Sequence, residues 1–253
     1  MHNSVVPLHW WAKTLLLIAV LLLLLLPSAA LGHKWGVLNL GTSFALLGVV
    51  VAGGLISLLL AIFAMIYASN KSLVREKRAC VMVIGILLVP LLVMGFQIVN
   101  ARSVPAIHDI TTDARNLPRF DVAVQLRENA SNDLEYGQGA LSAQQLWSMQ
   151  QQAYPEIRSI QSHLPVSDAF AKASDLLKQQ GLEIVGSDST NGRIEAVDTT
   201  FWFGFKDDLV VRIIPNENGS VIDLRSVSRV GQSDLGANAM RISRFIDGFQ
   251  PNP

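Results

Sequence analysis

The sequence predicts an N-terminal three-helix transmembrane bundle followed by an α+β domain, a four-stranded antiparallel meander with helices before and after it. Three observations predict this. The first hundred residues hold three long charge-free stretches, the composition changes abruptly near residue 100, and the last third alternates short apolar runs with turn residues. The overall balance of 20 Lys+Arg against 20 Asp+Glu hides two unlike halves. Residues 1–100 carry Lys13, Lys34, Lys71, Arg75, Lys77 and Arg78 against Glu76 alone, a net +5, which leaves −5 for residues 101–253. A domain of that sign offers no broad basic face, so no nucleic-acid partner is expected. Its length suffices for one ordinary core. Cys80, the single cysteine, falls in a hydrophobic stretch, so the polar half can have neither an internal disulfide nor a thiolate metal site.

No Asp, Glu, Lys or Arg occurs from Thr14 to Gly32, Trp35 to Asn70, or Ala79 to Ala101. Each stretch holds the ~20 apolar residues that carry a helix across a bilayer core of about 30 Å. A backbone in hydrocarbon must satisfy its own hydrogen bonds, so these are helices, near 13–31, 44–68 and 79–100. The loop 69–78 holds Lys71, Arg75, Lys77 and Arg78, whereas the preceding loop has Lys34. The positive-inside rule then puts loop 69–78 and the N-terminus in the cytoplasm and residues 101–253 outside, at an inner (plasma) membrane, with Trp10, Trp11 and Trp35 as interfacial anchors. A rival reading makes the first stretch a cleaved signal peptide, since Pro27-Ser-Ala-Ala30 follows a short Leu-rich run. Gly41, Ala45, Gly48, Ala52, Gly53, Gly54 and Ser57 mark the second helix as the packing centre of the bundle, and Pro90 should kink the third. No acid, base or His lies deep in any span, which argues against a transporter.

Residues 101–140, with Pro105, Pro118, Gly137 and Gly139, form an irregular lead into a domain at 141–253. The Asn129 and Asn218 glycosylation triplets carry no weight without a secretory context. A helix from Ser142 to Ala153 presents Leu146, Trp147 and Gln150, and one from Ser167 to Gln180, N-capped by Ser167, presents Phe170, Ala173, Leu176 and Leu177. Strands near 182–187, 192–204, 208–215 and 220–228 are joined by connections too short for anything but antiparallel neighbours. A last helix from Ser233-Asp234 buries Leu235, Ala239, Ile242, Ile246 and Phe249. Phe201, Trp202, Phe203 and Phe205 would sit in a long strand and pack on both its faces; as an exposed loop they would instead touch the bilayer interface or line an apolar pocket.

Several polar words stand out: Pro105-Ala-Ile-His-Asp-Ile-Thr-Thr-Asp113, Tyr154-Pro155, Gly192-Arg-Ile-Glu-Ala196, Phe205-Lys-Asp-Asp208, and the run from Asp223 to Ala239. Together they resemble a bacterial membrane-associated family known as domain of unknown function 1499, over residues 104–249. The resemblance implies a shared fold and an envelope location and brings no established reaction.

On their own chemistry, Arg225, Arg229, Ser233, Asp234 and Asn238 form the densest polar run. Strand alternation puts Asp223, Arg225 and Arg229 on one face, opposite Ile222, Leu224, Ser226 and Ser228. Two arginines leading to a helix N-terminus suit a carboxylate or phosphate. The plainer alternative is cross-strand pairing of Arg193, Glu195, Arg212, Asp223 and Arg225 on a solvent face, with Ser233 or Asp234 capping the helix. Ser226 and Ser228 lack a nearby His or a nucleophile elbow. His108, Asp109, Asp113, Asp207 and Asp208 form a second possible polar cluster, without zinc-site spacing. The expected function is therefore a non-catalytic binding or interaction module at the cell envelope, without cofactor or metal, whose partners are the lipid bilayer and an anionic ligand or envelope protein. The alternative is a membrane-tethered hydrolase using His108 and nearby carboxylates.

Overall fold

The computed structural model describes residues 7–128, 130–138 and 140–250; Asn129, which opens one glycosylation triplet, and Gly139 lie outside the described residues. They divide into two compact units, one reaching to Val99 and including Trp202–Gly204, the other comprising Asn100–Phe201 and Phe205 onward.

The first unit contains α1 (Trp10–Lys34), α2 (Leu40–Asn70) and all but the last turn of α3 (Val74–Ser103), all three helices long and apolar enough to cross a membrane. Each extends past the apolar stretch that predicts it, because helical hydrogen bonding continues into the polar flanks until a cap or turn ends it. Asn39 supplies one such cap, its side chain accepting the Thr42 N–H at 2.8 Å. Leu15, Ala19 and Leu22 pack against Ala61, Val83 and Leu87 in the bundle core. Leu17, Ile56, Phe63, Leu92 and Phe96 point outward, as suits helices surrounded by lipid tails. The small residues of α2 divide between two sides. Gly54 and Ser57 face inward, where a Cβ on Gly54 would stand 3.1 Å from a Leu91 methyl; Gly41, Ala45, Gly48 and Ala52 lie on the outer side. Beside the first turn of α3, His9 Nδ1 meets the buried Glu76 carboxylate at 2.8 Å.

The second unit contains β1 (Asp109–Thr111), α4 (Val122–Gln125), α5 (Ala143–Ala153), β2 (Ile160–Ser162), α6 (Val166–Gln179), β3 (Glu183–Asp188), β4 (Arg193–Thr199), β5 (Lys206–Asn216), β6 (Gly219–Ser228) and α7 (Ala237–Phe249). The sheet is antiparallel with order β1-β6-β5-β4-β3, and β2 also pairs with β6. The expected meander is present, but the sheet has six strands rather than four. Strands β1 and β2 are three residues long, too short to show alternation, and lie end to end along the outer edge of β6, at 225–227 and 220–222.

Three local expectations are corrected. Helix α6 starts at Val166 behind Pro165, so Ser167 sits inside its first turn rather than at the cap. Helix α7 starts after Gly236, whose φ of +83° suits glycine, three residues later than expected. Strand β4 stops at Thr199. The Thr200 N–H donates to the Phe205 carbonyl at 2.8 Å and Thr200 Oγ1 accepts the Phe205 N–H at 2.9 Å, which closes a tip over 201–204. Phe201 and Trp202 are therefore 71% and 54% exposed instead of packed in the core.

Helices α5, α6 and α7 cover one face of the sheet, where Ile110, Ile194, Leu209, Val211, Ile222 and Leu224 meet Leu146, Ala173, Leu177, Ile242 and Phe245. The opposite face is also covered. Phe120, Ala123 and Leu134, from the segment expected to be a mere lead, pack on Val210 and Val227. A buried Gln150 on α5 completes the edge strand: its amide accepts the Thr111 N–H at 3.0 Å and donates to the Thr111 carbonyl at 2.7 Å. Replacing Gln150 by Leu strands both main-chain groups away from water, at about 1–3 kcal/mol each. Thermal unfolding of the detergent-solubilised full chain should accordingly show a clear loss for Gln150→Leu, and a change within about 0.5 kcal/mol for the exposed neighbour Gln152→Leu.

Candidate functional site

Cross-strand register sorts the polar residues onto two faces. Asp109, Val227, Asp208 and Val197 form one row, and Thr111, Arg225, Val210 and Glu195 the next, both beneath segment 112–136. Ser228, Asp207 and Asp198 form a row on the helix-covered face, alongside Ser226 in the row of Ile110 and Leu209. The face expected to meet solvent is thus buried, and its charges answer one another.

Arg225 is 4% exposed and binds Asp109 through two contacts, Nε to Oδ1 at 3.0 Å and Nη2 to Oδ2 at 2.7 Å, the planar geometry that suits a guanidinium. It also donates to the Leu134 carbonyl at 2.6 Å and lies over the rings of Phe120 and Tyr136, 5.6 and 5.7 Å from their centroids. Burial, with the nearby Asp109 charge, pushes the Tyr136 hydroxyl above its ordinary range. Asp208, fully buried, receives Arg229 through Nε and Nη2, the latter at 2.7 Å, and a second arginine, Arg127. Arg212 joins Asp223 at 2.7 Å and Asp113 at 3.2 Å. Glu195 accepts the N–H groups of Asp121, Val122 and Ala123 at 2.8, 3.2 and 2.8 Å, so its carboxylate caps α4 across the sheet. These links fasten segment 112–136 to the strands.

On the helix-covered face Arg241 is the hub. Its guanidinium reaches Asp198 at 2.6 Å, Asp207 at 2.8 Å, Ser226 Oγ at 2.9 Å and Asn238 Oδ1 at 2.5 Å. Burial alone would lower the Arg241 pKa, but Asp207 and Asp198 carry it above its ordinary value. Ser226 donates to Asn238 Oδ1 at 2.6 Å, and Asn238 Nδ2 donates to Ser228 Oγ at 2.9 Å. Ser226 is therefore held by an amide and a guanidinium and Ser228 by the same amide, none of them a general base. Asp234 accepts the Gly236 and Asn238 N–H groups at 2.8 and 2.9 Å, capping α7 from outside it. Burial raises the Asp234 carboxyl above the usual carboxylate range, against those two bonds. A raised carboxyl favours the fold below its unfolded pKa and loses that contribution as pH climbs through the folded value. Beside the hub lies a shallow depression of about 110 Å³ bordered by Leu182, Asp198, Met240, Arg241 and Arg244.

The sequence-predicted residues are thus distributed. Arg225 and Arg229 share a face, each against a carboxylate, while Asp234 and Asn238 belong to the start of α7. Ser233 Oγ accepts the Leu235 N–H at 3.2 Å. In the second cluster, Asp109 and Asp208 lie under segment 112–136 and Asp207 on the opposite face with Arg241. Asp113 turns to Arg212, and His108 Nδ1 lies a long 3.5 Å from the Gln232 carbonyl. Among the described residues no three His, Cys, Asp or Glu are grouped to hold a metal. Sequence reasoning missed Arg241 and Arg127. Arg241 carried a signal, standing between Asn238 and Ile242 on the inner side of α7, where an arginine must find carboxylates.

Three helices able to cross a membrane, followed by an antiparallel α+β domain with internally paired charges, define a membrane-associated protein whose distinctive part is that domain. The chain belongs to the family described as Protein of unknown function (DUF1499), whose profile matches residues 109–249, more than half of its length. The matched segment begins at the first residue of β1 and ends at the last of α7. No curated protein matches the chain.

The buried pairing makes a direct prediction. Arg225→Gln leaves Asp109 without its cation and should cost on the order of 3–5 kcal/mol, whereas the double change Arg225→Gln with Asp109→Asn should recover much of the loss. Denaturant unfolding of the full chain in detergent checks this, and a silent single mutant would mean that the pair does not hold the fold.

Proposed function

We propose that this chain is a multi-pass protein of the cell inner (plasma) membrane, with a cytoplasmic N-terminus and an extracytoplasmic domain that is a non-catalytic binding or interaction module. One observation carries this reading: both polar concentrations are closed networks, in which the guanidiniums already meet carboxylates and the serines meet non-basic partners. An anion approaching Arg225 or Arg229 would have to displace Asp109 or Asp208, losing a short, buried pair in each case. Recognition is then a matter for the outer surface of the domain, and the partner is an envelope protein or a lipid headgroup. The exposed Arg244, beside the depression on α7, offers a cation to either. The hydrolase alternative is weakened by the separation of Asp207 from Asp109 and Asp208 on opposite faces of the sheet.

The orientation rests on the four basic residues of loop 69–78 against Lys34 alone. Reporter fusions that fluoresce only in the cytoplasm should be bright after residue 74 and dark after residue 253, and the reverse pattern would place the domain in the cytoplasm. The binding role is tested by native mass spectrometry of the full chain released from its own membrane. A retained lipid or protein whose occupancy falls with Arg244→Glu supports the module, and turnover of an ester or phosphoester panel that His108→Ala abolishes would replace it with the hydrolase.

A further inference from the structure

The polar connection between α2 and α3 is unbalanced in charge. Lys71, Arg75, Lys77 and Arg78 are all exposed there, and the one acid among them is Glu76. Glu76 does not neutralise them. It lies on the inner side of α3 with Ala79, Cys80 and Val83, is 5% exposed, and its carboxylate is taken by His9 Nδ1 at 2.8 Å. Among the described residues no carboxylate meets Lys77 or Arg78. The outward surface at this end of α3 is therefore cationic alone.

Helical spacing sets what lies next to those cations. A depression of about 550 Å³ is lined by Val74, Lys77, Arg78, Val81 and Met82. These positions recur every three to four residues and so share one face of α3, the face turned away from Glu76. Lys77 and Arg78 stand at the polar edge of the span, since the charge-free stretch begins at Ala79. Val81 and Met82, 55% and 58% exposed, come about 6 Å further into it. Down this face a pair of cations is followed by apolar side chains, which is the order of charge and hydrocarbon in a phospholipid.

We propose that this face of α3 binds an anionic phospholipid, with the phosphodiester between Lys77 and Arg78 and the upper part of an acyl chain along Val81 and Met82. Both cations gain charge-assisted hydrogen bonds to phosphate oxygens. A headgroup bearing an ammonium would bring its own cation against Lys77 and Arg78, so the site selects headgroups without one. Free phosphate would forgo the contact with Val74, Val81 and Met82 that makes up the rest of the lining. The proposal rests on the reading of α3 as a membrane-crossing helix and holds for either orientation of the chain.

The test is native mass spectrometry of the full chain in nonionic detergent, titrated with phosphatidylglycerol or with phosphatidylcholine of the same acyl chains. The wild type should retain phosphatidylglycerol several-fold over phosphatidylcholine. Lys77→Gln with Arg78→Gln should remove most of that preference. Lys71→Gln with Arg75→Gln takes the same charge from the connection but none from the depression, and should keep it. Should the first pair fail to fold, Lys77→Gln and Arg78→Gln are measured singly, each expected to lose part of the preference. A wild type that does not discriminate would overturn the proposal. So would an equal change in the two double variants, which means diffuse attraction to charge, or displacement of the lipid by inorganic phosphate at equal concentration, which means that the acyl chain contributes nothing. Release of the chain from its own membrane by alkaline carbonate is a separate failure, which would overturn the membrane-crossing reading itself.

Discussion

The domain depends on the neutralisation of one sheet face. Asp109, Asp208, Asp223, Glu195 and Arg225 are each at most 4% exposed. An isolated ion in such a place would cost several kcal/mol even after relaxation. What makes the burial tolerable is the fit between the ions and segment 112–136, which supplies a cation to Asp208, amide hydrogens to Glu195 and a carbonyl to Arg225. The segment carries few apolar side chains against this face, chiefly Phe120, Ala123 and Leu134 on Val210 and Val227. Charge pairing and apolar contact therefore each need the other, and segment and sheet form one cooperative layer.

That layer explains why the charges of the polar run at 223–239 find their partners within the chain. Arginines near a helix start suggest an anion because their charges need answers, and here the answers come from strands far away in sequence: Asp109 for Arg225, Asp208 for Arg229, Asp207 and Asp198 for Arg241. A low-dielectric setting strengthens these pairs and lowers the gain from exchanging a fixed carboxylate for a mobile anion.

Much of the architecture was legible in the sequence. The charge-free stretches named the three helices, turn residues between β3, β4, β5 and β6 gave the meander, and alternation placed Asp223, Arg225 and Arg229 on the same side of β6. What escaped has physical reasons. Strands of three residues such as β1 and β2 contain no period to detect, and their pairing with β6 spans over a hundred and about sixty residues respectively. Segment 112–136 has no periodicity because it is held by hydrogen bonds and ion pairs rather than by a repeating apolar stripe. The run Thr199–Phe205 has strand-like composition, and its strand ends early because Gly204 at positive φ and the Thr200–Phe205 bonds turn the chain. For the candidate site, the participating residues were recognisable in the sequence and their partners were not.

The same network bears on how a cysteine-free domain can stay folded beside a membrane. A disulfide would stabilise it by restricting the unfolded chain. Here the long loops are instead closed non-covalently, by Arg225 to Asp109 across 116 residues and by Arg127 to Asp208 across 81. Closing longer loops costs only slightly more entropy, because that cost grows with the logarithm of length. Buried pairs are also screened by salt far less than exposed ones, so their contribution persists when the ionic strength changes. A carboxylate–guanidinium framework thus does the work of a cross-link without requiring an oxidising compartment.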